Sequence, residues 1–325
     1  MIYIVLPTKE TRRLSFYLAA EEYVARQLND DDDCFFMWQV RPSVIFGRNQ
    51  VVEAEVNLEF CRQRGIETYR RKSGGGCVYA DMKNIMFSYI TRDEHVNFTF
   101  NRYINLVTFV LCKLGIEARA TGRNDILIDG RKVSGNAFYH LAGHSIVHGT
   151  MLYDTTMENM VGAITPSDEK LQSKGVKSVR QHIALLKDYT SLSLEEFKNH
   201  VRTTLCNKEH VLSDADVAAI EAMEQEYLSE EFIFGRNPAY SVLRRRRIPE
   251  VGEVEIRMEV RGDTIRHVNL VGDYFLIGDL DGLLLKPLKG VKLSEADLRK
   301  ALPERLDGIV RNLKTDDFIN LILNK

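Results

Sequence analysis

The chain has 325 residues, a formal net charge of −2 and five scattered cysteines. A hydrophobic content of 44% and a charged content of 28% are typical of a globular protein with a sizeable core. The small net charge argues against a dedicated nucleic-acid binder, and no apolar run approaches the roughly 18 residues of a membrane span. No C-x-x-C pair occurs, which argues against a zinc knuckle or disulfide framework.

Helices and strands alternate over the first half of the chain. Apolar periodicity and capping residues predict helices at residues 14–28, 57–65 and 99–114. Runs rich in β-branched and aromatic residues predict strands at residues 34–40, 44–47, 66–70, 77–79, 85–90, 116–119, 125–128, 132–139 and 145–152. The Asp129-Gly130 pair is a strong signal for a two-residue hairpin. Such hairpins indicate a mixed, largely antiparallel sheet with flanking helices, an α/β (α+β) fold.

Residues 70–81 have the sequence RRKSGGGCVYAD, in which three glycines follow a basic cluster and a serine. Glycine adopts positive φ at low cost and lets the backbone approach a ligand closely. Consecutive N–H groups in such a turn form a concave site for phosphate oxygens. Arg70 and Arg71 can each bind a phosphate or carboxylate through two parallel hydrogen bonds. The segment therefore predicts a site for a nucleotide phosphate or another anion.

Two further segments combine predicted strands with glycines. The sequence GRND at residues 122–125 is followed by the hairpin and by KVSGNA at residues 132–137. The sequence HGT at residues 148–150 lies inside another predicted strand. A glycine within a strand often marks a bulge or a nearby ligand. Both segments therefore strengthen the prediction of a binding site.

The C-terminal part of the chain changes in composition. A capping box that begins at Ser193 predicts one helix, and a second follows at residues 213–227. Four arginines at residues 244–247 then precede Pro249. Beyond them, strands are predicted at residues 253–260, 264–271 and 274–279, and helices at residues 294–301 and 315–323. These elements indicate a small α+β module of ~80 residues, a plausible domain size.

Taken together, the motifs resemble those of the lipoate–protein ligase family. The family pattern R-R-x-S-G-G-G-x-V-x-H-D-x-G-N compares with residues 70–84, and the GRND, KVSGNA and HGT segments match the patterns that follow it. Further matches at residues 18–22, 38, 47–50, 174–180 and 238–241 extend the resemblance over nearly the whole chain. Two departures occur: Ala80 replaces the family histidine, and Lys83 replaces a glycine.

The resemblance implies an enzyme that activates lipoate with ATP to lipoyl-AMP. It would then transfer the lipoyl group to a specific lysine of lipoyl-domain proteins. The acceptors would be the E2 subunits of 2-oxoacid dehydrogenases and the glycine cleavage H protein. Mg²⁺ would accompany ATP, and no nucleic-acid or membrane partner is expected. The first residues lack the basic and long apolar regions of a signal peptide, so we expect a cytoplasmic protein. We also expect a monomer.

The resemblance also implies two domains. Residues 1–243 would form a catalytic domain like the core of biotin ligases and class II synthetases, and residues 244–325 would form an accessory domain. The acyl pocket should be mostly apolar, because lipoate offers a dithiolane ring, an aliphatic chain and one carboxylate. Val78, Val133 and Phe138 are candidates for its wall.

The family pattern assigns roles to individual residues. Lys132 would be catalytic, because a compact ammonium can neutralise the carboxylate and the phosphate as they react. The other assignments are Arg71, Gly76, Cys77, Val78, Tyr79 and Lys132 for ATP; Arg70, Gly75, Lys132, Gly135 and His148 for lipoate; and Asn84 and Asp125 for Mg²⁺. For Asp125 the alternative is a turn-forming residue, and for His148 a hydrogen-bonded core histidine.

Two other functions stay open. An octanoyl or lipoyl transferase of the same superfamily needs no ATP, but it uses a cysteine three residues before the His-Gly pair, where this chain has Ser145. A non-catalytic lipoate- or nucleotide-binding protein could keep the same scaffold, although the intact glycines and Lys132 argue against it. The arginines at residues 244–247 also have two interpretations, a docking surface for an acidic acceptor or a solvated linker.

Overall fold

A computed structural model of the chain describes residues 1–27, 32–92, 96–121, 124–141, 143–164, 182–235 and 240–325. Leu28, Gly122, Arg123, residues 174–180, Pro238 and Ala239, which the sequence predictions include, lie outside the described residues. The chain divides into two compact units. The first comprises Met1–Phe46, Val52–Arg71 and Cys77–Ile233, and the second comprises Gly47–Val51, Lys72–Gly76 and Phe234–Lys325. The boundary between residues 243 and 244 stays a prediction.

The first unit is built around a long mixed sheet and a shorter one. Its strands are β1 (Ile2–Val5), β2 (Cys34–Trp38), β3 (Ser43–Phe46), β4 (Glu67–Arg70), β5 (Val78–Ala80), β6 (Ile85–Thr91), β7 (Ala118–Ala120), β8 (Asp125–Ile128), β9 (Arg131–Leu141), β10 (His144–Met151) and β11 (Lys208–Val211). Within the described residues, the long sheet has the order β11-β1-β2-β6-β10-β9-β8-β7. β1 runs parallel to β11 and β2, whereas the pairs from β2 to β7 are antiparallel. The predicted mixed, largely antiparallel sheet is confirmed.

Several helices flank these sheets. They are α1 (Leu14–Gln27), α2 (Val52–Glu55), α3 (Leu58–Arg64), α4 (Val96–Cys112), α5 (Met157–Ala163), α6 (Leu194–Leu205), α7 (Asp214–Leu228) and α8 (Glu230–Phe234). The predicted caps are formed: the Asn57 side chain accepts a hydrogen bond at the start of α3, and Gly65 ends this helix with a φ of 62°. Ser193 opens α6 in the predicted capping box. Within the described residues, no helix combines the length and apolar character that a membrane crossing needs.

The strand register defines the face of the long sheet that α1 covers. Directly paired residues of antiparallel strands share a face. Phe36, Ser88, His148 and Ala137 therefore form one row across β2, β6, β10 and β9. Helix α1 packs against β6 and β10 on this side, and its Glu21 reaches Ser88 and His148. We call this surface the α1 face.

The opposite surface of the same sheet, which we call the α4 face, packs against α4. Phe138 and Val147 are paired and alternate with the residues of the α1 face. The Phe138 ring lies with its centroid 5.2 Å from that of Phe100 in α4. Phe138 is thus part of the packing under α4. Val78, which was predicted to share the acyl pocket wall with it, lies in the shorter sheet.

The shorter sheet has β3 at its centre, in the order β4-β3-β5. β3 and β4 are parallel, with Phe46 opposite Arg70, so the two strands end at the same edge. β5 is antiparallel to β3 and begins near that edge, since Val78 lies opposite Ile45. The basic residues that precede the three glycines therefore lie at the carboxyl end of β4, which is parallel to its neighbour β3.

The second unit contains an antiparallel sheet and short helices. Its regular elements are β12 (Val242–Ile248), β13 (Gly252–Arg261), β14 (Thr264–Gly272), α9 (Lys286–Leu288), α10 (Glu295–Ala301) and α11 (Thr315–Leu323). The four arginines at residues 244–247 lie within β12, so the interpretation of this run as a linker is wrong. The strand predicted at residues 274–279 is not formed, and Leu276 makes only an isolated bridge with Val310.

Gly149 shows how tightly the long sheet packs against α4. An added Cβ there would overlap Oδ1 of Asn136 and lie 2.9 Å from the Tyr103 hydroxyl oxygen. We therefore expect Gly149→Ala to lower the free energy of unfolding by about 1–3 kcal/mol, as overpacked core positions do. Urea unfolding measures this change. Gly308→Ala is the control, because an added Cβ at Gly308 meets nothing within 4 Å, and equal losses in the two variants would contradict the prediction.

Candidate active site

A change of register between β8 and β9 decides where the Lys132 side chain points. Ile126 pairs with Ser134 and Leu127 pairs with Lys132, so β9 carries one extra residue, Val133. Strict alternation would place Lys132 on the same face as Ser134. The extra residue moves Lys132 to the α1 face instead, and β-bulges commonly re-aim side chains in this way beside active sites.

Lys132 lies across Gly135 and reaches Asp125. Its Nζ is 2.8 Å from Oδ1 of Asp125, and the two side chains are 38% and 31% exposed. An added Cβ at Gly135 would lie only 2.7 Å from both Cε and Nζ of Lys132. The absence of a side chain at Gly135 therefore gives the lysine its path along the strand. The result is a cation held near solvent between a backbone and a carboxylate.

The start of β8 is fixed to β9 by two asparagines of the predicted motifs. The Asn124 side chain donates to the Asn136 carbonyl oxygen at 3.0 Å, and the Asn136 side chain donates to the Asn124 carbonyl oxygen at the same distance. The Asp125 N–H adds a bond to the Thr121 hydroxyl at 3.0 Å. These bonds hold the backbone of Asp125 where its carboxylate meets Lys132.

His148 belongs to a buried polar chain on the α1 face. Its Nδ1 lies 2.8 Å from Oε2 of Glu21, and the Ser88 hydroxyl donates to Oε1 of the same carboxylate at 2.5 Å. The indole N–H of Trp38 donates to Ser88 at 2.8 Å. All four residues are buried. His148 is thus a hydrogen-bonded histidine of the interior that also faces the same side of the sheet as Gly135.

Two buried arginines lie at the end of β4: Arg70 is its last residue, and Arg71 follows it. The Arg70 Nε donates to the Ile233 carbonyl oxygen at 2.8 Å, and its guanidinium lies 4.5 Å from the centroid of the Phe46 ring. The Arg71 guanidinium donates to the Ile45 carbonyl oxygen at 3.2 Å. Burial lowers the pKa of each arginine to about 10, because desolvation penalises the charged form. Both remain cations at neutral pH.

The glycines themselves differ in their surroundings. Gly75 has a φ of 87°, which a residue with a side chain adopts only at a cost. An added Cβ at Gly76 would come no closer than 3.9 Å to any other described residue. A substitution at Gly75 therefore tests backbone conformation, whereas a substitution at Gly76 tests the space available to a ligand.

The three residues after the glycines enter the shorter sheet. Burial raises the pKa of the Cys77 thiol well above its usual value, so this side chain is a neutral thiol. Val78 begins β5, and Tyr79 is buried with its hydroxyl accepting a hydrogen bond from Asn159 at 3.3 Å. Burial raises the pKa of Tyr79 to about 12. Binding by these residues would therefore rely on their backbone groups.

Asn84 has the features of a ligand-binding amide. It is fully buried, and neither its side-chain oxygen nor its nitrogen has a hydrogen-bond partner among the described residues. A buried amide without partners is costly unless something satisfies it. Asn84 precedes β6, and Ile85 pairs with Met151, which pairs with Ser134 of β9. Asn84 thus lies two strands from the Lys132 end of β9, on the order of 10 Å away.

The structure gathers some predicted site residues and leaves others apart. Lys132, Gly135 and Asp125 are in contact, and His148 shares their face of the sheet. Within the described residues, no three His, Cys, Asp or Glu side chains cluster as a metal site, so Mg²⁺ would depend on Asn84, Asp125 and the phosphates of its nucleotide. Glu21 was absent from the predicted site. A carboxylate on the apolar side of a predicted helix was the sequence signal that could have found it.

Comparison with known proteins agrees with this arrangement. Residues 14–206 match the lipoyl protein ligase A/B catalytic domain, and residues 237–322 match the bacterial lipoate protein ligase C-terminus. The chain is 32% identical to lipoate–protein ligase LplJ of Bacillus subtilis over 321 residues, which is 94% of this chain and 95% of that protein. It is 35% identical to lipoate–protein ligase 1 of Staphylococcus aureus over 82% of this chain and 83% of that protein.

The chain belongs to the lipoate–protein ligase family. As a member of this family it is an enzyme, a ligase. Its fold resembles that of Plasmodium falciparum LipL1 in complex with lipoate, with a TM-score of 0.78, 19% identity, and 100% and 99% of the two chains covered.

Two other ligase structures are similar over part of the chain. A bipartite lipoate–protein ligase with its E2 lipoyl domain from Thermoplasma acidophilum has a TM-score of 0.65 and 27% identity, with 74% of this chain and all of that chain covered. A lipoate–protein ligase A bound with ATP has a TM-score of 0.62 and 24% identity, with 72% and 98% covered.

The packing of Lys132 over Gly135 yields a test for this ligase. Gly135→Ala should displace the lysine ammonium, because the new methyl group occupies its path. The end of a lysine moves easily, so we expect a loss of ligase activity on the order of ten-fold or more, with little change in the midpoint of thermal unfolding. Gly308→Ala is again the control. Full activity of Gly135→Ala would show that the position of the ammonium above residue 135 is unimportant.

Proposed function

We propose that this ligase activates lipoate with ATP and transfers the lipoyl group to a lysine of lipoyl-domain proteins. The observation that carries the proposal is the Lys132 ammonium, held above Gly135 and 2.8 Å from Asp125 on the α1 face. Membership of the family supports lipoate as the acid. A lipoate-bound neighbour and an ATP-bound ligase of the same fold support the two small substrates.

The first step brings two anions together. An oxygen of the lipoate carboxylate forms a bond to the α-phosphorus of ATP, and the bond from that phosphorus to the leaving pyrophosphate breaks. A cation fixed at this point reduces the repulsion and stabilises the charge that develops in the transition state. Lys132 is suited to this role because its ammonium is compact and offers three donors. Asp125 keeps the ammonium in place between turnovers.

In the second step the acceptor lysine attacks the acyl carbon. Its neutral amine forms the amide bond, the acyl carbon–oxygen bond to the phosphate breaks, and AMP leaves while the amine gives up a proton. Lys132 can polarise the acyl carbonyl at this stage through the same ammonium. Because both steps use one cation, loss of Lys132 should affect both.

The nucleotide would be held by Arg71 and by the backbone of residues 76–79. The buried Arg71 cation supplies positive charge, and the neutral Cys77 thiol adds no competing negative charge. Asn84 and Asp125 would be candidates for contact with a phosphate or with Mg²⁺, which would neutralise charge on the phosphates. The partnerless buried amide of Asn84 fits this assignment. Arg70, Gly75, Gly135 and His148 would line the lipoate site with Lys132.

The acceptors would be E2 subunits and the glycine cleavage H protein, and the enzyme would act in the cytoplasm as a monomer. The bipartite Thermoplasma ligase, whose structural analysis includes its E2 lipoyl domain, supports lipoyl-domain acceptors. A transferase that forms a thioester on its own cysteine is less well supported. The corresponding residue, Ser145, is a buried hydroxyl, with Oγ 3.4 Å from Nδ1 of His140.

We expect Lys132→Ala to slow lipoyl-adenylate formation by about 10²–10³-fold, the usual effect of removing one preorganised stabiliser of a transition state. Lipoate-dependent release of pyrophosphate from ATP measures this step. Lys208→Ala is a matched control, because Lys208 also forms an ion pair with an aspartate, Asp32, and lies on β11 at the opposite end of the same sheet. Near-normal adenylate formation by Lys132→Ala would refute the assignment. A wild-type protein that transfers an acyl group without ATP, or binds lipoate without turnover, would favour one of the alternative functions.

The basic strand β12 generates a separate prediction about the acceptor. Arg245, Arg246 and Arg247 are exposed, and residues 234–325 carry 17 Lys and Arg residues against 14 Asp and Glu residues. Lipoyl domains that are acidic would be attracted to this surface. Replacing all four arginines of residues 244–247 with glutamine should slow lipoyl transfer at low salt and leave adenylate formation normal. The defect should shrink as salt screens the attraction.

The control for the arginine variant replaces two exposed cations elsewhere in the second unit. Lys292→Gln with Arg305→Gln removes charge from positions outside β12. An equal effect of both variants would indicate attraction by net charge alone. Unchanged transfer by the arginine variant at every ionic strength would remove β12 from acceptor docking.

A further inference from the structure

Two loops from the N-terminal half of the sequence belong to the second unit. Residues Gly47–Val51, which we call the companion loop, follow β3, and residues Lys72–Gly76, the glycine loop, come shortly after β4. β3 and β4 are parallel and end at the same edge, so both loops leave their sheet together. Ligand sites commonly form beyond the carboxyl ends of neighbouring parallel strands.

Inside the second unit, the two loops are bonded to each other and to the turn at residues 272–275, which begins at the last residue of β14. The Arg48 N–H donates to the Ser73 carbonyl oxygen at 2.9 Å. The Gly272 N–H donates to the Asn49 carbonyl oxygen at 2.8 Å. Because these bonds join backbone groups, they constrain the paths of both loops whatever side chains the loops carry.

Gly74 and Gly75 both meet Tyr274. The Gly75 N–H donates to the Tyr274 carbonyl oxygen at 3.2 Å. An added Cβ at Gly74 would overlap this same oxygen and lie 3.1 Å from Cα of Phe275. The turn cannot easily retreat, because Tyr274 and Phe275 are buried and the Tyr274 hydroxyl donates to the Leu270 carbonyl oxygen at 2.8 Å.

Gly76 has a different environment within the same unit. The nearest atoms to an added Cβ would be two side-chain atoms of Asp273, each at 3.9 Å. This is an ordinary van der Waals separation, so the described residues leave room for a methyl group at Gly76. Packing therefore requires glycine at position 74 and does not require it at position 76.

We propose that the turn at residues 272–275 is a positioning element for the glycine loop, and that Gly74 and Gly76 have different roles in this loop. Gly74 is a positioning residue whose missing side chain admits the Tyr274 backbone. Gly76, where packing does not demand the absence of a side chain, is the glycine whose backbone serves the bound anion. The inference rests on the proposed function in one respect, namely that the anion is a phosphate of ATP.

The physical reason is preorganisation. A run of glycines has many accessible backbone conformations, and ordering it when a ligand binds would cost entropy. The hydrogen bond from the Gly75 N–H to the Tyr274 carbonyl oxygen and the close approach of this oxygen to Gly74 fix both residues in advance, so the loop already has its conformation when the anion arrives. Preorganised donors stabilise developing charge better than mobile ones.

The first test needs no variant and no activity. In glycine-labelled wild-type protein, the amide proton of Gly75 should exchange slowly with solvent in the absence of ATP, because it is bonded to Tyr274. Gly290 is the reference, since it also has a positive φ and its N–H donates to the Ile265 carbonyl oxygen at 2.8 Å. A Gly75 amide that exchanges freely while Gly290 is protected would overturn the proposal.

The second test compares two methyl groups two residues apart. Gly74→Ala should abolish the protection of the Gly75 amide and raise the KM for ATP roughly ten-fold, as expected for a misplaced binding loop. Gly76→Ala should raise the KM for ATP while the Gly75 amide stays protected. Gly308→Ala should change neither quantity. Unchanged protection and unchanged KM in Gly74→Ala would overturn the role of Gly74.

The two readouts separate this inference from the proposed function. Exchange of the Gly75 amide reports on the turn whether or not the protein is active, whereas the KM comes from lipoate-dependent pyrophosphate release. Slow exchange in the wild type that is lost in Gly74→Ala, without any pyrophosphate release, would retain the positioning element and reject ATP as the substrate. Pyrophosphate release together with free exchange at Gly75 would retain ATP as the substrate and reject the positioning element.

Discussion

The ammonium of Lys132 reaches the α1 face because β9 carries one residue more than β8 at this point. If β9 kept strict alternation through Val133, the lysine would lie on the α4 face together with Ser134. With the extra residue, the side chain runs over Gly135 to Asp125. The contacts of Lys132 with Gly135 and with Asp125 depend on this single irregularity of pairing. An irregularity of this kind is a structural device that regular strands would not supply.

The motif glycines of this chain have different reasons to be glycine. At residue 149 the missing side chain admits Asn136 and Tyr103, at residue 135 it admits the lysine, and at residue 74 it admits the backbone of Tyr274. At residue 76, by contrast, an added Cβ would meet side-chain atoms of Asp273 at an ordinary van der Waals distance of 3.9 Å. Glycines of a sequence motif can thus be required by packing within the protein itself. Their common effect is to bring other polar groups close enough to act.

Much of the fold could be predicted because its signals are local. Asn57, Gly65 and Ser193 act as caps through bonds to residues at most four positions away, and strands β2, β6, β9 and β10 of the long sheet have clear β-prone sequences. Strands β1 and β11 of the same sheet were not predicted. The errors arose where distant contacts decide. Residues 244–247 pair with β13 despite their four charges. Residues 274–279 form no strand, and their backbone instead bonds to Ile309 and Arg311. The cluster of Lys132, Gly135 and Asp125 follows from motif spacing, but the bulge that joins them depends on pairing register, which composition does not reveal.

Cys77 illustrates what burial does to a reactive group beside such a site. Its thiol keeps its proton at neutral pH, because desolvation raises its pKa. Thiol–disulfide exchange requires the thiolate, and the dithiolane ring of lipoate is itself a cyclic disulfide. With lipoate as the proposed substrate, a thiolate at residue 77 would risk opening that ring and tethering the substrate to the enzyme as a mixed disulfide. A protonated sulfur would not carry out this reaction.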